Sequence, residues 1–131
     1  MKGHIYVIGM GPGKRDGMTA EAAEAVSACD IIVGYTVYAE LIRRSWPEKD
    51  FFTTPMRQEI ARCRKCYELA EAGKTVGLVC SGDAGIYGMA APMLELQREY
   101  PEAEVTVIPG TTAASSGAAV LGAPLNHDFC V

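Results

Sequence analysis

The sequence predicts an α/β domain with a mostly parallel, open sheet of about five strands and helices on both faces. Short apolar segments alternate with longer helical segments throughout the 131 residues, and no hairpin-type turn joins two apolar segments. Three of the apolar segments run directly into glycine-rich loops. Loops that leave the carboxyl ends of parallel strands gather along one edge of the sheet, where ligands bind. We therefore expect a small-molecule site at that edge.

The first part of the chain is predicted to form three strands and two helices. The strands are residues 4–9, 30–34 and 51–53, and the helices are residues 19–28 and 37–44. Thr19 is a favoured N-cap for the first helix. Pro47 disfavours helical backbone at Trp46, which ends the second helix. The first strand is too short to be the apolar segment of a signal peptide.

A longer helix is predicted over residues 57–72, with Gly73 at its C′ position. Its buried face consists of positions spaced by three and four residues: Met56, Ile60, Cys63, Tyr67 and Ala70. Cys63 and Cys66 have the spacing of half a zinc or redox site. Because no second Cys or His pair follows at ligand spacing, two thiols on or beside the buried face are favoured over a metal site.

The rest of the chain continues the alternation of strands and helices. Strands are predicted over residues 75–80 and 104–108, and helices over residues 86–98 and 111–120. Pro92 has to lie in the first turns of its helix or kink it. Residues 128–131 are predicted to begin a further strand. We therefore expect residues 1–131 to be a single α/β domain and a second domain to lie outside this chain.

Composition and charge argue against several classes of protein. Twelve basic and sixteen acidic side chains give a net charge of −4, whereas a nucleic-acid-binding protein usually carries a basic excess. No segment is long and apolar enough to span a bilayer. The five cysteines are odd in number and accompany no secretory signal, which favours reduced thiols in the cytoplasm.

Three glycine-rich loops carry the functional signal. Loop 1 (residues 9–13) reads G-M-G-P-G, loop 2 (residues 81–88) reads S-G-D-A-G-I-Y-G, and loop 3 (residues 109–113) reads P-G-T-T-A. Loop 1 differs from the dinucleotide fingerprint, because its third glycine comes one position early and Asp30 begins a strand instead of ending one. No phosphate-binding P-loop motif is present in the sequence. A tight strand-to-helix turn is the alternative interpretation of loop 1.

Asp83 and loop 3 each allow both a binding and a structural interpretation. Asp83 follows a strand, where a carboxylate can accept both hydroxyls of a ribose, or it serves as a helix N-cap. Loop 3 opens a helix whose free amides can bind polar ligand atoms, or Thr111 or Thr112 simply caps that helix. Glycine in these loops is expected to let a ligand approach the main chain.

Taken together, the loops resemble the tetrapyrrole methylases, which transfer methyl groups from S-adenosylmethionine. The motifs G-x-G-P-G, S-G-D-x-G-x-Y-G, P-G-x-T-A and G-A-P-L-x-H-D-F (residues 122–129) occur in the order typical of that family. One departure is Ala84, where the family usually has proline. The similarity is greatest to members that methylate C17 of precorrin-3B or cobalt-factor III in cobalamin biosynthesis, with contraction of the ring.

The resemblance also implies roles for individual residues. The methyl donor would lie in a cleft between two domains, held here by Pro12, Gly82, Asp83, Ile86, Thr112 and Ala113. The tetrapyrrole carries many carboxylates, so Gly11 and Gly13 with the cations Lys14, Arg15 and Arg57 are the expected substrate-binding residues; ordinary solvated surface is the alternative for the cations. A homodimer is expected from the same resemblance.

No catalytic acid or base is assigned, and His127, Asp128 and Tyr87 are the candidates. A hinge is the alternative for His127, a turn for Asp128 and simple packing for Tyr87, while His4 is expected to be structural. Two other functions stay open. The chain could belong to another methylase of the same superfamily, acting on uroporphyrinogen or a different precorrin, or it could be a binding module without catalysis.

Overall fold

A computed structural model describes residues 3–131 and contains one sheet of five parallel strands. The order across the sheet is β3-β2-β4-β1-β5. The strands are β1 (His4–Gly9), β2 (Ile31–Tyr35), β3 (Asp50–Thr54), β4 (Val76–Cys80) and β5 (Glu104–Ile108). The predicted fold class and all five strands are confirmed. In the centre of the sheet, every residue of β4 is buried, as expected for a parallel strand covered on both faces.

Helices cover both faces of the sheet. They are α1 (Ala20–Ala28), α2 (Thr36–Arg43), α3 (Glu59–Glu71), α4 (Ala90–Leu96) and α5 (Ala113–Leu121), with short 3-10 turns at Arg15–Gly17 and Gln97–Glu99. The Thr19 hydroxyl accepts a hydrogen bond from the Ala22 N–H (3.0 Å), which confirms the predicted N-cap. Gly73 follows α3 with a positive φ of 92°, as predicted for the C′ position.

The hydrophobic core has two halves, one on each face of the sheet. On one face, α3 and α4 pack through Tyr67 and Met93, and the Tyr67 hydroxyl donates a hydrogen bond to the Met93 carbonyl. On the other face, Val26 of α1 and Trp46 after α2 pack against Ile32 and other strand residues. The helices therefore fix the sheet from both sides and leave the carboxyl ends of the strands free to carry loops.

The buried stripe of α3 differs from the predicted one at its start. Met56 and Ile60 are 70% and 53% exposed, whereas Cys63, Tyr67 and Ala70 are buried as predicted. The helix begins only at Glu59, after a turn, so Met56 is not part of it. Ile60 lies in the first helical turn, at the carboxyl edge of the sheet. Arg62 and Cys66 complete the buried stripe in their place.

The predicted helix 86–98 is also shorter than expected. It begins at Ala90, because loop 2 folds back on itself and the Ala90 N–H donates to the Ala84 carbonyl (3.1 Å). Tyr87 has a positive φ of 55°, which helical backbone does not allow. Pro92 lies in the first turn of α4, where a missing N–H is tolerated.

The last ten residues contain no regular structure. The prediction that residues 128–131 begin a strand is wrong for the described chain, in which no strand of residues 3–131 pairs with them and all of them are exposed. Helix α5 likewise has no buried residue, and Val120 and Leu121 are 86% and 80% exposed. Among residues 3–131, no helix has the length and apolar character needed to cross a membrane.

His4 lies at the amino end of β1, on the opposite edge from the loops. Its Nε2 is 2.6 Å from the Thr106 hydroxyl, its Nδ1 is 3.1 Å from a Glu104 carboxylate oxygen, and its ring stacks on Tyr6. These contacts join β1 to its neighbour β5. The structural role predicted for His4 is therefore confirmed.

Candidate functional site

Loops 1, 2 and 3 follow three neighbouring strands. Loop 1 follows β1, loop 2 follows β4 and loop 3 follows β5, and β1 lies between the other two strands. Because all strands run in the same direction, the three loops leave the sheet at one edge. The sheet topology therefore places the three predicted loops side by side.

Reciprocal backbone hydrogen bonds join loop 1 to loop 2. The Gly11 N–H donates to the Gly82 carbonyl and the Gly82 N–H donates to the Gly11 carbonyl, each at 3.0 Å. Both glycines have positive φ angles, 64° and 68°, which side chains rarely tolerate. This short antiparallel bridge fixes the two loops against each other.

Glycine is required at this junction because loops pack backbone against backbone. A Cβ added to Gly110 would lie 2.4 Å from the Gly82 oxygen and 2.5 Å from the Gly9 oxygen. A Cβ added to Gly9 would lie 2.7 Å from the Gly110 nitrogen. From the sequence, these glycines were expected to let a ligand approach the main chain. In the structure they let the neighbouring loops pack closely against one another. We call the meeting point of the three loops at Gly9, Gly11, Gly82 and Gly110 the loop junction.

Asp83 links loop 2 to loop 3 through its carboxylate. Oδ2 accepts a hydrogen bond from the Gly85 N–H and Oδ1 accepts one from the Gly110 N–H, both at 2.9 Å. The helix-cap interpretation of Asp83 is wrong, because α4 begins at Ala90 with Met89 as its N-cap. A carboxylate has about four acceptor positions. Asp83 therefore keeps capacity for hydroxyl donors after bonding both loops.

The start of α5 completes the junction. Thr112 is the N-cap of α5, as one interpretation of the sequence predicts, and its side chain makes no capping hydrogen bond. Its carbonyl accepts from the Ser115 and Ser116 N–H groups instead. An added Cβ on Gly82 would lie 3.5 Å from the Ala113 nitrogen, so the first turn of α5 borders loop 2. The first N–H groups of a helix have no partner within it and can serve a ligand.

A cavity of about 880 Å³ lies beside loop 1, between the start of α1 and the end of α2. Its wall includes the predicted residues Pro12, Gly13, Lys14 and Arg15. Arg44, which the sequence interpretation missed, adds a third cation, and Asp16 is its one carboxylate. The Arg15 guanidinium lies over the Trp46 ring, 4.4 Å from its centroid, which orients the charge. We call this space the loop 1 cavity.

A second cavity, of about 290 Å³, lies between loop 2, α3 and the ends of β2 and β4. Tyr35, Tyr38 and Tyr87 contribute aromatic rings to it, and Met56 lines it from the turn before α3. Arg57 follows Met56 with a positive φ of 65° and is exposed. Arg57 lines neither this cavity nor the loop 1 cavity, so the structure does not group it with Lys14 and Arg15. We call this space the loop 2 cavity.

The remaining predicted residues lie on the surface. Ile86 of loop 2 is 37% exposed, and Tyr87 is 89% exposed in a backbone conformation that costs a bulky residue about 1 kcal/mol or more. His127 and Asp128 lie in the irregular, exposed segment after α5, away from any described hydrogen bond. The structure thus brings Tyr87 to a cavity and leaves His127 and Asp128 outside the cavities described.

The Cys63–Cys66 pair lies in the core, as the sequence predicts. Both side chains are fully buried on the sheet-facing side of α3. Burial raises the pKa of the Cys63 thiol to about 12 and holds that of Cys66 well above its usual value. Within residues 3–131, no group of three metal-ligating side chains could hold a metal ion. The pair therefore contributes packing to the core.

The thiols should differ sharply in reactivity. Iodoacetamide at mildly alkaline pH is expected to label Cys130 rapidly, because it is exposed, and to leave the buried Cys29, Cys63, Cys66 and Cys80 unlabelled. Intact-mass measurement over time gives the number of labels, and the urea-unfolded chain, in which all thiols are accessible, is the control. Rapid labelling of Cys63 or Cys66 in the folded chain would contradict the packing described.

Comparisons with known proteins place nearly the whole chain in one family. Residues 4–131 match the Tetrapyrrole (Corrin/Porphyrin) Methylases family. The chain is 50% identical over 127 residues to a probable cobalt-factor III C(17)-methyltransferase of Salmonella typhimurium, covering 96% of this chain and 53% of that protein. It is 38% identical over 134 residues to a precorrin-3B C(17)-methyltransferase of a Sinorhizobium species, covering 99% and 52% of the two chains.

A solved structure agrees with these relatives. The crystal structure of the methyltransferase CobJ superposes with a TM-score of 0.87 at 38% identity, covering 98% of this chain and 54% of that one. The chain therefore spans about half the length of these three relatives. On the match of residues 4–131 and the shared fold, the chain belongs to the tetrapyrrole methylase family.

Proposed function

We propose that this chain binds S-adenosylmethionine at the loop junction and takes part in methyl transfer to C17 of a corrin precursor, precorrin-3B or cobalt-factor III, with ring contraction. The observation that carries the proposal is the direct contact of loops 1, 2 and 3 at one edge of a parallel sheet. The names of the relatives supply the choice of substrate.

The residues at the junction suit an adenosyl ligand. The Asp83 carboxylate has acceptor capacity left for ribose hydroxyls, and the start of α5 offers N–H groups at Ala113. Pro12 and Ile86 would supply apolar contact. Gly82 is buried and both its backbone groups bond Gly11, so we assign it to positioning the loops more than to touching the ligand.

Acidic or basic side chains are not needed at the donor site to activate the methyl group. S-adenosylmethionine supplies a methyl group already activated by its sulfonium. The chain has to hold that group in line with the acceptor carbon and exclude water, which a rigid, backbone-built site does well. Of the acid–base candidates, Tyr87 is the one that lines a cavity, so we place it first.

The loop 1 cavity suits an anionic partner because it holds Lys14, Arg15 and Arg44 against one carboxylate. Reversing Lys14→Glu and Arg15→Glu together is expected to weaken tetrapyrrole binding about tenfold, since attraction to substrate carboxylates becomes repulsion. The affinity for S-adenosylhomocysteine should stay unchanged. Both affinities can be measured by titration calorimetry.

A matched control is the double variant Lys74→Glu and Arg98→Glu. Both side chains are exposed, and neither lines the loop 1 or loop 2 cavity. It changes net charge by the same amount and should leave tetrapyrrole affinity near that of the unmodified protein. An equal loss in both double variants would show a general charge effect and contradict a role for the loop 1 cavity.

The proposed reaction is tested by incubation with S-adenosylmethionine carrying a labelled methyl group and either precorrin-3B or cobalt-factor III. Mass spectrometry should show the gain of one methyl group, and NMR should place it at C17. Methylation of uroporphyrinogen instead would favour another methylase of the superfamily. Donor binding without transfer to any tetrapyrrole would favour a binding module.

We also propose that the chain works as the N-terminal domain of a two-domain, homodimeric cytoplasmic enzyme. Its coverage of about half of the three relatives named above supports the first point, as does the absence of buried residues on α5 within the described chain. Buried free thiols support a reducing compartment. The assay should therefore compare these residues alone with a longer protein that includes the second domain, and light scattering should give the oligomeric state.

A further inference from the structure

Arg62 of α3 carries a positive charge into the interior of the domain. Its side chain is only 6% exposed, and its three guanidinium nitrogens all contact neutral groups. Nε donates to the Thr54 hydroxyl (2.7 Å), Nη2 to the Pro55 carbonyl (3.3 Å), and Nη1 to the Met89 sulfur (3.8 Å). These contacts hold the guanidinium in one orientation.

No carboxylate in residues 3–131 forms an ion pair with Arg62. The ion pairs described there use other cations, and Glu59, which lines the same cavity, is not within 4.0 Å of the guanidinium. A buried charge is costly unless an opposite charge compensates it. A guanidinium also has five N–H donors, of which the three contacts use three. Two donors therefore stay available.

The available donors belong to a side chain that lines the loop 2 cavity. That cavity has aromatic walls, where Tyr35 and Tyr38 meet edge to face with centroids 5.1 Å apart, and Met89 also lines it. Aromatic and thioether walls suit a conjugated, flat ligand, and a fixed guanidinium suits its carboxylate.

We propose that Arg62 binds a carboxylate of the tetrapyrrole substrate in the loop 2 cavity and so selects substrates with free acid side chains. This inference rests on the proposed function, since it takes the substrate to be a tetrapyrrole. Arg62 contacts the substrate at a peripheral acid group and takes no part in bond making. The three partners of the Arg62 guanidinium are neutral. They hold its orientation and leave its positive charge available to pair with a substrate carboxylate.

The test compares uroporphyrin, whose acid groups are free, with its methyl ester, both titrated in the same detergent-containing buffer and followed by the absorbance of the macrocycle. Arg62→Met is expected to weaken uroporphyrin binding about 30-fold or more, because it removes a desolvated charge, and to change ester binding by less than about twofold. Arg62→Lys keeps the charge but loses the fork, so a loss of about tenfold is expected. Arg64→Met is the matched control, since Arg64 lies on the same helix and pairs with Glu99 outside the cavity.

Equal losses for the acid and the ester would show that Arg62 only supports the fold, and unchanged uroporphyrin affinity would show that its charge meets no substrate; either result overturns the inference. If Arg62→Met does not fold, the test uses the Arg62→Lys variant and the ratio of acid affinity to ester affinity in the unmodified protein. A ratio near unity overturns the inference. S-adenosylhomocysteine affinity is measured in parallel. Failure of that binding in the unmodified protein contradicts the proposed function alone, whereas equal losses of acid and ester binding in Arg62→Met contradict only the role of Arg62.

Discussion

Gly110→Ala is expected to destabilise the domain by about 3 kcal/mol and to abolish donor binding. The new methyl group would lie 2.4 Å from the Gly82 oxygen and 2.5 Å from the Gly9 oxygen. Both obstructing atoms belong to the backbone, one at the end of β1 and one in loop 2, so neither can turn away as a side chain would. Loop 3 would have to move from loops 1 and 2, which opens the loop junction. Urea unfolding and calorimetric titration with S-adenosylhomocysteine measure the two effects.

Gly117→Ala provides the matched control for this substitution. Gly117 lies within α5, and a Cβ there would meet nothing within 4 Å. Alanine favours helix over glycine, so this variant should be more stable by about 0.5–1 kcal/mol and bind the donor normally. If Gly110→Ala were as stable as the unmodified chain and bound S-adenosylhomocysteine equally well, tight packing of the three loops would not be needed for the site.

Asp83→Asn is expected to cost about 1.5–3 kcal/mol of stability and at least about tenfold in donor affinity. The carboxylate accepts from both the Gly85 and Gly110 N–H groups, one on each oxygen. An amide has one oxygen, so it can keep only one of these bonds and would point its NH₂ group at the other donor. Loops 2 and 3 would then lose their side-chain link. Urea unfolding gives the stability, and calorimetry gives the affinity.

Asp50→Asn is a suitable control because it makes the same chemical change at an exposed residue that begins β3, on the edge of the sheet. It should leave both stability and donor affinity within the error of measurement. Full donor affinity in Asp83→Asn, together with reduced stability, would assign Asp83 to the fold alone and remove it from the ligand site.

The sequence predicts the fold well because the strands are short apolar segments with clear ends. The parallel arrangement followed from the alternation of strands and helices, and the meeting of the loops followed from parallel strands. The order of the strands could not be predicted, because β1 pairs with β4 and β5 across long stretches of chain. That order is what puts loop 1 between the other two loops.

Details of the site depend on contacts between residues far apart in sequence, and here prediction from local pattern failed. The hydrogen bond from the Gly110 N–H to Asp83 spans 27 residues, so a local interpretation as a helix cap was the natural mistake. Arg62 precedes Cys63 in α3 and was not among the residues predicted for the buried face of that helix. Its burial follows from the turn before α3, which no periodicity indicates.

An amide-resolved NMR titration of the chain with S-adenosylhomocysteine tests the loop junction most directly. Glycine amides are well separated in such spectra, and the chain of 14.0 kDa is small enough for complete assignment. We expect saturable shifts that are largest at Gly11, Asp83, Gly85, Gly110 and Thr112, one set from each loop. Absence of saturable shifts, or shifts confined to the small cavity at Tyr100 and Ala103 near the opposite edge of the sheet, would contradict a donor site at the loop junction.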